Sequence, residues 1–262
     1  MASDAIAGAR DHNQAFWAQQ EAARFYASRS ELYPPERSIL QRICPDCSGR
    51  PILDLGVGTG RTTAALLAIS SDYLGIDYSA AMVERCRNRF AGVAFQQADV
   101  RDLSGLRDRR FALIMFSFNG LDYITHDERL ETMRTLHALL ADDGWFVFSS
   151  HNRLRRVPPP WDLRQLTRGP FSRLGGRLWA FGRGIAAYHA NRHGAYEGVD
   201  HAQRIDSAFN YKLVTYYISP TDQLAQLRAV GFVPVAIYTM DGQAAAVPDS
   251  LQDPWLYYLA RK

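Results

Sequence analysis

One stretch of eleven residues, Ile52 to Thr62 (ILDLGVGTGRT), constrains the fold of this chain more than any other. Small and apolar residues lead into Gly56, Gly58 and Gly60, and a helix-compatible run, TTAALLAI, starts at Thr62. Strand, glycine turn and helix in that order form the setting of a nucleotide-binding loop. Glycine tolerates backbone angles closed to other residues, and its missing side chain lets a ligand lie against the main chain. The free N–H groups at the helix start can face an anionic group. A phosphate-cradling P-loop needs Lys followed by Ser or Thr after its glycines, and here Arg61-Thr62 follow. A dinucleotide loop has the spacing G-x-G-x-x-G, whereas this chain has G-x-G-x-G.

Around the loop, short apolar runs alternate with helical patterns. Strands are expected at 51–55, 73–77, 93–97, 111–116 and 145–149, with helices at about 61–70, 79–90 and 127–141. Repeated strand–helix units imply right-handed crossovers and a largely parallel sheet covered on both faces. The alternation stops over 152–212, which holds Pro158-Pro159-Pro160 and two helix-like stretches near 162–168 and 173–190. Its apolar residues, Trp161, Leu163, Leu166, Phe171, Leu174, Leu178, Trp179 and Phe181, are too many for a solvated loop. The segment reads as an inserted lid or cap. A strand at 213–219, a helix from 220 or 221 to 230, and strands at 233–239 and 255–260 follow. The last two are joined without a helix and are expected to be antiparallel. Upstream, 11–32 reads as a helix that Tyr33-Pro34-Pro35 interrupts, and Glu36 to Cys44 as a second, short one. The chain thus divides into an N-terminal helical segment (1–49), a core domain (50–151 with 213–262) and the insertion (152–212).

A length of 262 residues with 47% hydrophobic content suits one large α/β domain and argues against disorder. No apolar run reaches transmembrane length, and the start, MASDAIAGARDHNQ, has no apolar signal region. Neither a membrane partner nor export is expected, and cytoplasmic residence is the simplest reading. Three cysteines make no disulfide framework, and Cys44-x-x-Cys47 lacks the second pair of a zinc site. The net charge of +3 is unevenly spread: 152–212 carries eleven Lys or Arg against four Asp or Glu. Those arginines suit solvated faces and internal ion pairs, or else an acidic substrate or a nucleic-acid backbone.

Leu-Asp-Leu ahead of Gly56-x-Gly58-x-Gly60 resembles the first motif of the class I S-adenosylmethionine-dependent methyltransferases. The resemblance covers about 50–150 and 213–262. It implies a Rossmann-like, doubly wound, mostly parallel seven-stranded sheet with an antiparallel C-terminal strand. Asp54, Gly56, Gly58, Thr59 and Gly60 would form the cofactor loop. Asp77 ends the second strand seventeen residues after Gly60, where an acidic residue accepts hydrogen bonds from both ribose hydroxyls of an adenosine. By resemblance, Tyr78 and Met82 flank the adenine, Asp99 takes its amino group and the Val100 backbone its ring. Ser79 is a good N-cap for the next helix. The fourth strand ends Phe116-Ser117-Phe118-Asn119-Gly120-Leu121-Asp122-Tyr123, on the lip where open α/β sheets place ligands. Phe116 would touch the cofactor. The absence of prolines here counts against nucleobase methylation.

What the resemblance implies is transfer of a methyl group from S-adenosyl-L-methionine to O or N of a small polar metabolite by direct in-line displacement. Such a reaction draws its rate from alignment and altered solvation of the acceptor. An amine must be neutral, and a hydroxyl benefits from a base. His151, after the fifth strand, is the first candidate base, and His201, beside Asp200 in the insertion, the second. Tyr33, Asn119, Tyr123, Asn152 and Tyr211 are candidates for the acceptor pocket; His126, His189 and His193 read as solvated. No carboxylate triad suggests a metal, and none is expected. The expected partner is a small-molecule acceptor, with an acidic one left open, no nucleic acid, and a homodimer through the insertion also open. An RNA or protein methyltransferase using the basic insertion, a non-catalytic partner in a methyltransferase complex and, on the glycine spacing less favoured, a dehydrogenase are the competing readings.

Overall fold

The central strands 52–55, 73–77 and 111–116 are buried along their whole length because both of their faces are covered. The computed structural model of the chain describes residue 13, residues 31–167 and residues 174–262. The helix expected over 11–32 therefore lies outside the described residues except at 13, 31 and 32, and so does Phe171. Helix α1 (Pro34–Cys47) opens with two prolines at a helix start, where their missing N–H costs nothing. Then come β1 (Ile52–Leu55), α2 (Thr63–Leu67), β2 (Tyr73–Asp77), α3 (Ala80–Arg89), β3 (Ala94–Gln97), β4 (Phe111–Phe116) and α4 (His126–Leu139). Ile39 and Ile43 of α1, Leu66 and Val83 pack with Ile52, Leu113 and Val147 on one face. Met133 and Leu136 of α4 pack with Leu53, Ile114 and Phe148 on the other.

Strand β5 runs from Leu140 to Asn152, longer than the expected 145–149. The acidic turn-like stretch at its start stays extended because Leu140 pairs with Phe111 and the Lys262 N–H donates to the Gly144 carbonyl. Strands β9 (Val233–Tyr238) and β10 (Trp255–Arg261) close the sheet, antiparallel to one another, with β10 antiparallel to β5. The seven-stranded core runs β3-β2-β1-β4-β5-β10-β9; it is mostly parallel with an antiparallel C-terminal strand, as expected. Helix α7 (Pro220–Val230) starts at Ser219, whose Oγ accepts the Asp222 N–H, and stops at Gly231 with φ 109°. Ser79 stands at the cap position of α3, but its side chain makes no capping bond.

The expected strand at 213–219, β8 (Val214–Ile218), does not join that core order. His151 pairs with Trp255 on one edge of β5 and with Tyr217 on the other. Strand β8 therefore continues the edge along which β4 ran, beyond the tip of β4. It carries with it β7 (His201–Ile205) and β6 (Tyr196–Glu197), an antiparallel annexe making ten strands. The insertion is thus only partly helical. Its helices are α5 (Arg164–Thr167) and α6 (Leu174–Asn191), and Trp161, Leu163, Leu178 and Trp179 remain exposed. Farther along α6, Ala187 and Tyr188 pack against Ile205 of β7 and Val214 of β8.

A buried ion pair joins these layers. Arg129 on α4 and Asp122 below the β4 tip are both 0% exposed, and Arg129 Nη1 donates to Asp122 Oδ1 at 2.7 Å. Arg129 also donates to Gln223 and Gln226 of α7 and to Ser150 of β5. Replacing Arg129 by Met strands the Asp122 carboxylate in the interior, which is expected to cost about 3–5 kcal/mol in a denaturant-unfolding measurement. A loss under about 1 kcal/mol would show the pair to be incidental.

At the end of β1, Asp54 is fully buried, and Thr62 Oγ1 and the Tyr73 hydroxyl both donate to its Oδ2 at 2.7 and 2.9 Å. Burial pushes the carboxyl up to about 6, against the lowering effect of those two hydroxyls. A raised carboxyl favours folding while protonated in both states, and that contribution is lost as pH rises from about 4 through about 6. Asp54→Asn is expected to gain stability relative to the parent across that window, by up to about 3 kcal/mol. A pH-independent difference between the two proteins would reject this.

Candidate functional site

A cleft opens at the C-terminal edge of the parallel strands, where successive loops leave the sheet. Asp54, Gly56, Gly58, Thr59, Asp77, Tyr78, Met82, Asp99, Val100 and Phe116 all line it. Gly60 does not. A Cβ there would stand 2.6 Å from the Phe90 ring and 3.4 Å from Cys86 Sγ, so the third glycine lets the loop pack against α3. Gly56 has φ 61°, and a Cβ on it would meet the Phe116 ring at 2.8 Å. Gly120 lies against the same ring, so Phe116 is wedged between two residues without side chains.

Asp77 is buried at the tip of β2, where Gly58 N–H donates to Oδ2 and Ser79 N–H to Oδ1, each at 2.9 Å. Burial raises its carboxyl, and those two backbone donors oppose the shift. A carboxylate has about four acceptor sites, so capacity for two ligand hydroxyls remains. A Cβ on Gly58 would meet nothing closer than 3.9 Å, so the main chain is open at the middle of the loop. Tyr78 and Met82 on one strand–helix junction and Val100 on the next supply apolar walls to the same cleft. A charged diol acceptor, open glycine backbone and an apolar slot fit an adenosine. Asp99 stands at the far end, with both oxygens held by the Arg101 guanidinium at 2.6 and 2.9 Å. Arg101 also reaches Glu128 at 3.1 Å.

Sequence reasoning missed the other arginine of the cleft. Arg61, next to Gly60, is paired with Glu36 of α1, a carboxylate with no exposed surface. Glu36 also accepts from Ser117 Oγ and, at 2.8 Å, from the Tyr257 hydroxyl. Glu36 reads in the sequence as an ordinary first-turn residue, and only the fold brings it beneath the loop. Asn13 was missed as well: its side-chain amide exchanges two bonds with the Val214 backbone and donates to the Tyr123 carbonyl at 3.2 Å.

The candidate acceptor residues separate. Tyr123 lines the cleft, and Tyr33 stacks on Phe118, which does too. Phe118 and Asn119 both adopt left-handed backbone angles, φ 57° and 61°, which is strained for a phenylalanine. That turn brings Asn119 Nδ2 to 3.3 Å from His151 Nε2. His151 Nδ1 lies 2.7 Å from Asp122 Oδ2. Asn152, by contrast, is fully buried and holds the Leu251 carbonyl and the Leu154 N–H. Tyr211 is buried beneath the insertion, where its hydroxyl meets Gln165 and Pro158. Both are structural, because their polar atoms are consumed by backbone and loop contacts away from the cleft.

His201 does not join the cleft either. It pairs with Ile218, next in sequence to the Tyr217 that faces His151, so the two histidines lie on opposite faces of the sheet. His201 does form the expected pair with Asp200, at 2.8 Å. It stacks on His126, with centroids 4.0 Å apart and planes 10° apart. His126 is therefore half-buried rather than solvated; its Nδ1 meets the Tyr216 hydroxyl, and burial, then His201, lowers its titration. His126, Asp200 and His201 form the one group of potential metal ligands among the described residues. A metal lies in the plane of each imidazole it binds, and two parallel stacked rings share no such point.

Residues 52–144 match a family model described as a methyltransferase domain. The trans-aconitate 2-methyltransferase of Methylobacterium nodulans is 36% identical over 159 residues, 56% of this chain and 59% of that protein. The putative methyltransferase YqeM of Bacillus subtilis is 27% identical, over 40% of this chain and 43% of its own. The chain thus spans about half the length of the curated relatives it matches. Among solved structures, the Burkholderia thailandensis 1,6-didemethyltoxoflavin N1-methyltransferase superposes with a TM-score of 0.61 at 15% identity, covering 97% of this chain and 88% of that one. The CcbJ methyltransferase of Streptomyces caelestis gives 0.57 at 18%, covering 87% and 89%. Sheet order, glycine loop and family match agree: residues 52–144 carry a methyltransferase-domain match, on a fold like that of the class I S-adenosylmethionine-dependent methyltransferases.

Proposed function

We propose that the protein transfers a methyl group from S-adenosyl-L-methionine to an oxygen or nitrogen of a small polar metabolite by direct in-line displacement. The buried Asp77 beside the open Gly58 backbone carries this reading. When bound, the cofactor supplies a methyl group on a positively charged sulfur. Asp77 accepts from its ribose hydroxyls, Tyr78, Met82 and Val100 enclose the adenine, and Asp99, braced by Arg101, takes the adenine amino group. Asp54, Gly56, Thr59 and Phe116 hold the methionine end. The acceptor then lies against Tyr33, Phe118, Asn119 and Tyr123, with His151 as base.

The arginines of the cleft are already committed, Arg61 to Glu36 and Arg101 to Asp99 and Glu128. In the insertion, Arg153 and Arg204 share Glu197. These pairings support a neutral polar acceptor over an acidic one, and ion pairing over nucleic-acid binding as the use of the basic residues. Among the described residues, no helix is long and apolar enough to cross a membrane. The proposal includes action in the cytoplasm, supported by three unpaired cysteines. It also includes a homodimer through the insertion, supported by the exposed Leu163, Leu178 and Trp179.

Calorimetry is expected to detect binding of S-adenosylmethionine or S-adenosylhomocysteine and none of NADH; the reverse result would sink the assignment. Asp77→Ala, with its fold checked by circular dichroism, should weaken binding about tenfold to a hundredfold, as for loss of charged hydrogen bonds. An unchanged affinity would put Asp77 outside the site.

We further propose that 152–212 serves as a substrate lid. Replacing 164–191 with a short linker, which leaves β6 and β7 in place, should retain cofactor binding and abolish turnover of the acceptor. A truncated protein that keeps both activities would reject the lid.

A further inference from the structure

Asp122 is a heavily bonded buried carboxylate near the cleft. Its Oδ1 accepts from Arg129 Nη1 and Ser150 Oγ, each at 2.7 Å. Its Oδ2 accepts from the His151 backbone N–H and lies against His151 Nδ1, each at 2.7 Å. A carboxylate paired with arginine has no proton to give, so the hydrogen of this contact sits on Nδ1. The neutral ring then presents its lone pair at Nε2, where its one contact is the long 3.3 Å approach of Asn119 Nδ2. A histidine fixed in one tautomer by a buried carboxylate, with its other nitrogen weakly engaged, is arranged to take a proton.

The surroundings are flat and incompletely bonded. Tyr33 and Phe118 stack at 5.7 Å, and Trp255 stands edge-on to Phe118 at 6.0 Å. Trp255 pairs directly with His151 across β5 and β10, with ring centroids 6.3 Å apart. Asn119 Oδ1 and Trp255 Nε1 are buried side-chain atoms with no hydrogen-bond partner. Asn119 is 97% buried, being only 3% exposed. Unpaired buried groups are costly unless something is meant to meet them. An acceptor oxygen here, two open ring or amide partners and aromatic walls describe one kind of guest.

We propose that the acceptor is a planar molecule bearing a phenol- or enol-type hydroxyl, that this oxygen is methylated, and that His151 is its base with Asp122, locked by Arg129, as positioning residue. The inference rests on the methyl-transfer reading above. The hydroxyl proton passes to His151 Nε2; the oxygen uses the freed pair to bond the methyl carbon, and the carbon–sulfur pair stays on sulfur. The imidazolium so formed faces the Asp122 carboxylate. A phenol ionises near 10 and imidazole near 6.5, roughly, a gap that a concerted transfer bridges. An arylamine, neutral at working pH, needs no proton removed before its nitrogen attacks.

The test uses the full chain, with 4-nitrophenol and 4-nitroaniline as probes of equal shape. In protein saturated with S-adenosylhomocysteine, at a pH where free 4-nitrophenol is mostly neutral, added protein should raise the nitrophenolate absorption band, and His151→Phe should abolish that rise. With labelled S-adenosylmethionine the methyl should reach the phenol oxygen and not the aniline nitrogen. His151→Gly should lose about 10²- to 10⁴-fold in turnover, with partial recovery on adding free imidazole. Asp122→Asn should lower kcat with little change in acceptor KM and remove the low-field Nδ1–H proton resonance of His151. Should that variant fail to fold, the two His151 variants and the absorption band still decide. Nitrophenol that stays un-ionised or unbound while S-adenosylhomocysteine binds would overturn the proposal. So would methylation of the aniline at a rate that survives His151→Phe. Failure of the parent protein to bind S-adenosylhomocysteine would strike the underlying reading instead.

Discussion

The Asp122–Arg129 pair ties four separate parts of this molecule together. It links α4, the segment below β4, the end of β5 and α7 through one guanidinium with no exposed surface. Two ions taken out of water are tolerable only when nearly all their hydrogen-bonding capacity is met. That condition holds here, and it ranges α4 and α7 against the sheet in a single register. A hydrophobic contact could slide by a fraction of a turn; this one cannot without stranding a charge. The same carboxylate then fixes His151, so folding energy and the geometry of the candidate base share one residue.

A second polar cluster does the same for the opposite side of the cleft. Glu36 on α1, Arg61 in the glycine loop, Ser117 beyond β4 and Tyr257 on β10 meet around one buried carboxylate. The loop is thus gripped from below by Glu36 and from the side by Asp54 with Thr62 and Tyr73. Preorganisation of this kind lowers the ordering cost of ligand binding. The Phe116 ring is seated between Gly56 and Gly120.

The parallel core was legible in the sequence because its cause is local. Runs such as FALIMF admit burial on both faces, and the alternation with helical patterns leaves few connections open. Boundaries shifted where pairing overrode propensity, as at Leu140, drawn into β5 by Phe111. The residues that line the cleft were legible for a related reason: most stand at a strand tip or in the loop just beyond it. Gly60 is the exception, because whether a glycine faces a ligand or a helix depends on what packs behind it.

Acceptor-side residues were less legible. Asn152 and Tyr211 carry suitable functional groups, yet neighbours far along the chain had already used them. His151 and His201 are first and second candidates in sequence, and β8 places them on opposite faces of the sheet. Glu36, Asp122 and Arg129 give no local sign of their importance, since a charge separated by tens of residues from its partner leaves no periodic trace. The sequence by itself therefore determined the α/β core, the glycine loop and the acidic strand tips, all products of short-range pattern. Only the tertiary structure decided which charges are buried together, which histidine acquires a buried carboxylate, and which face of the annexe each side chain serves, because those are pairings between distant parts of the chain.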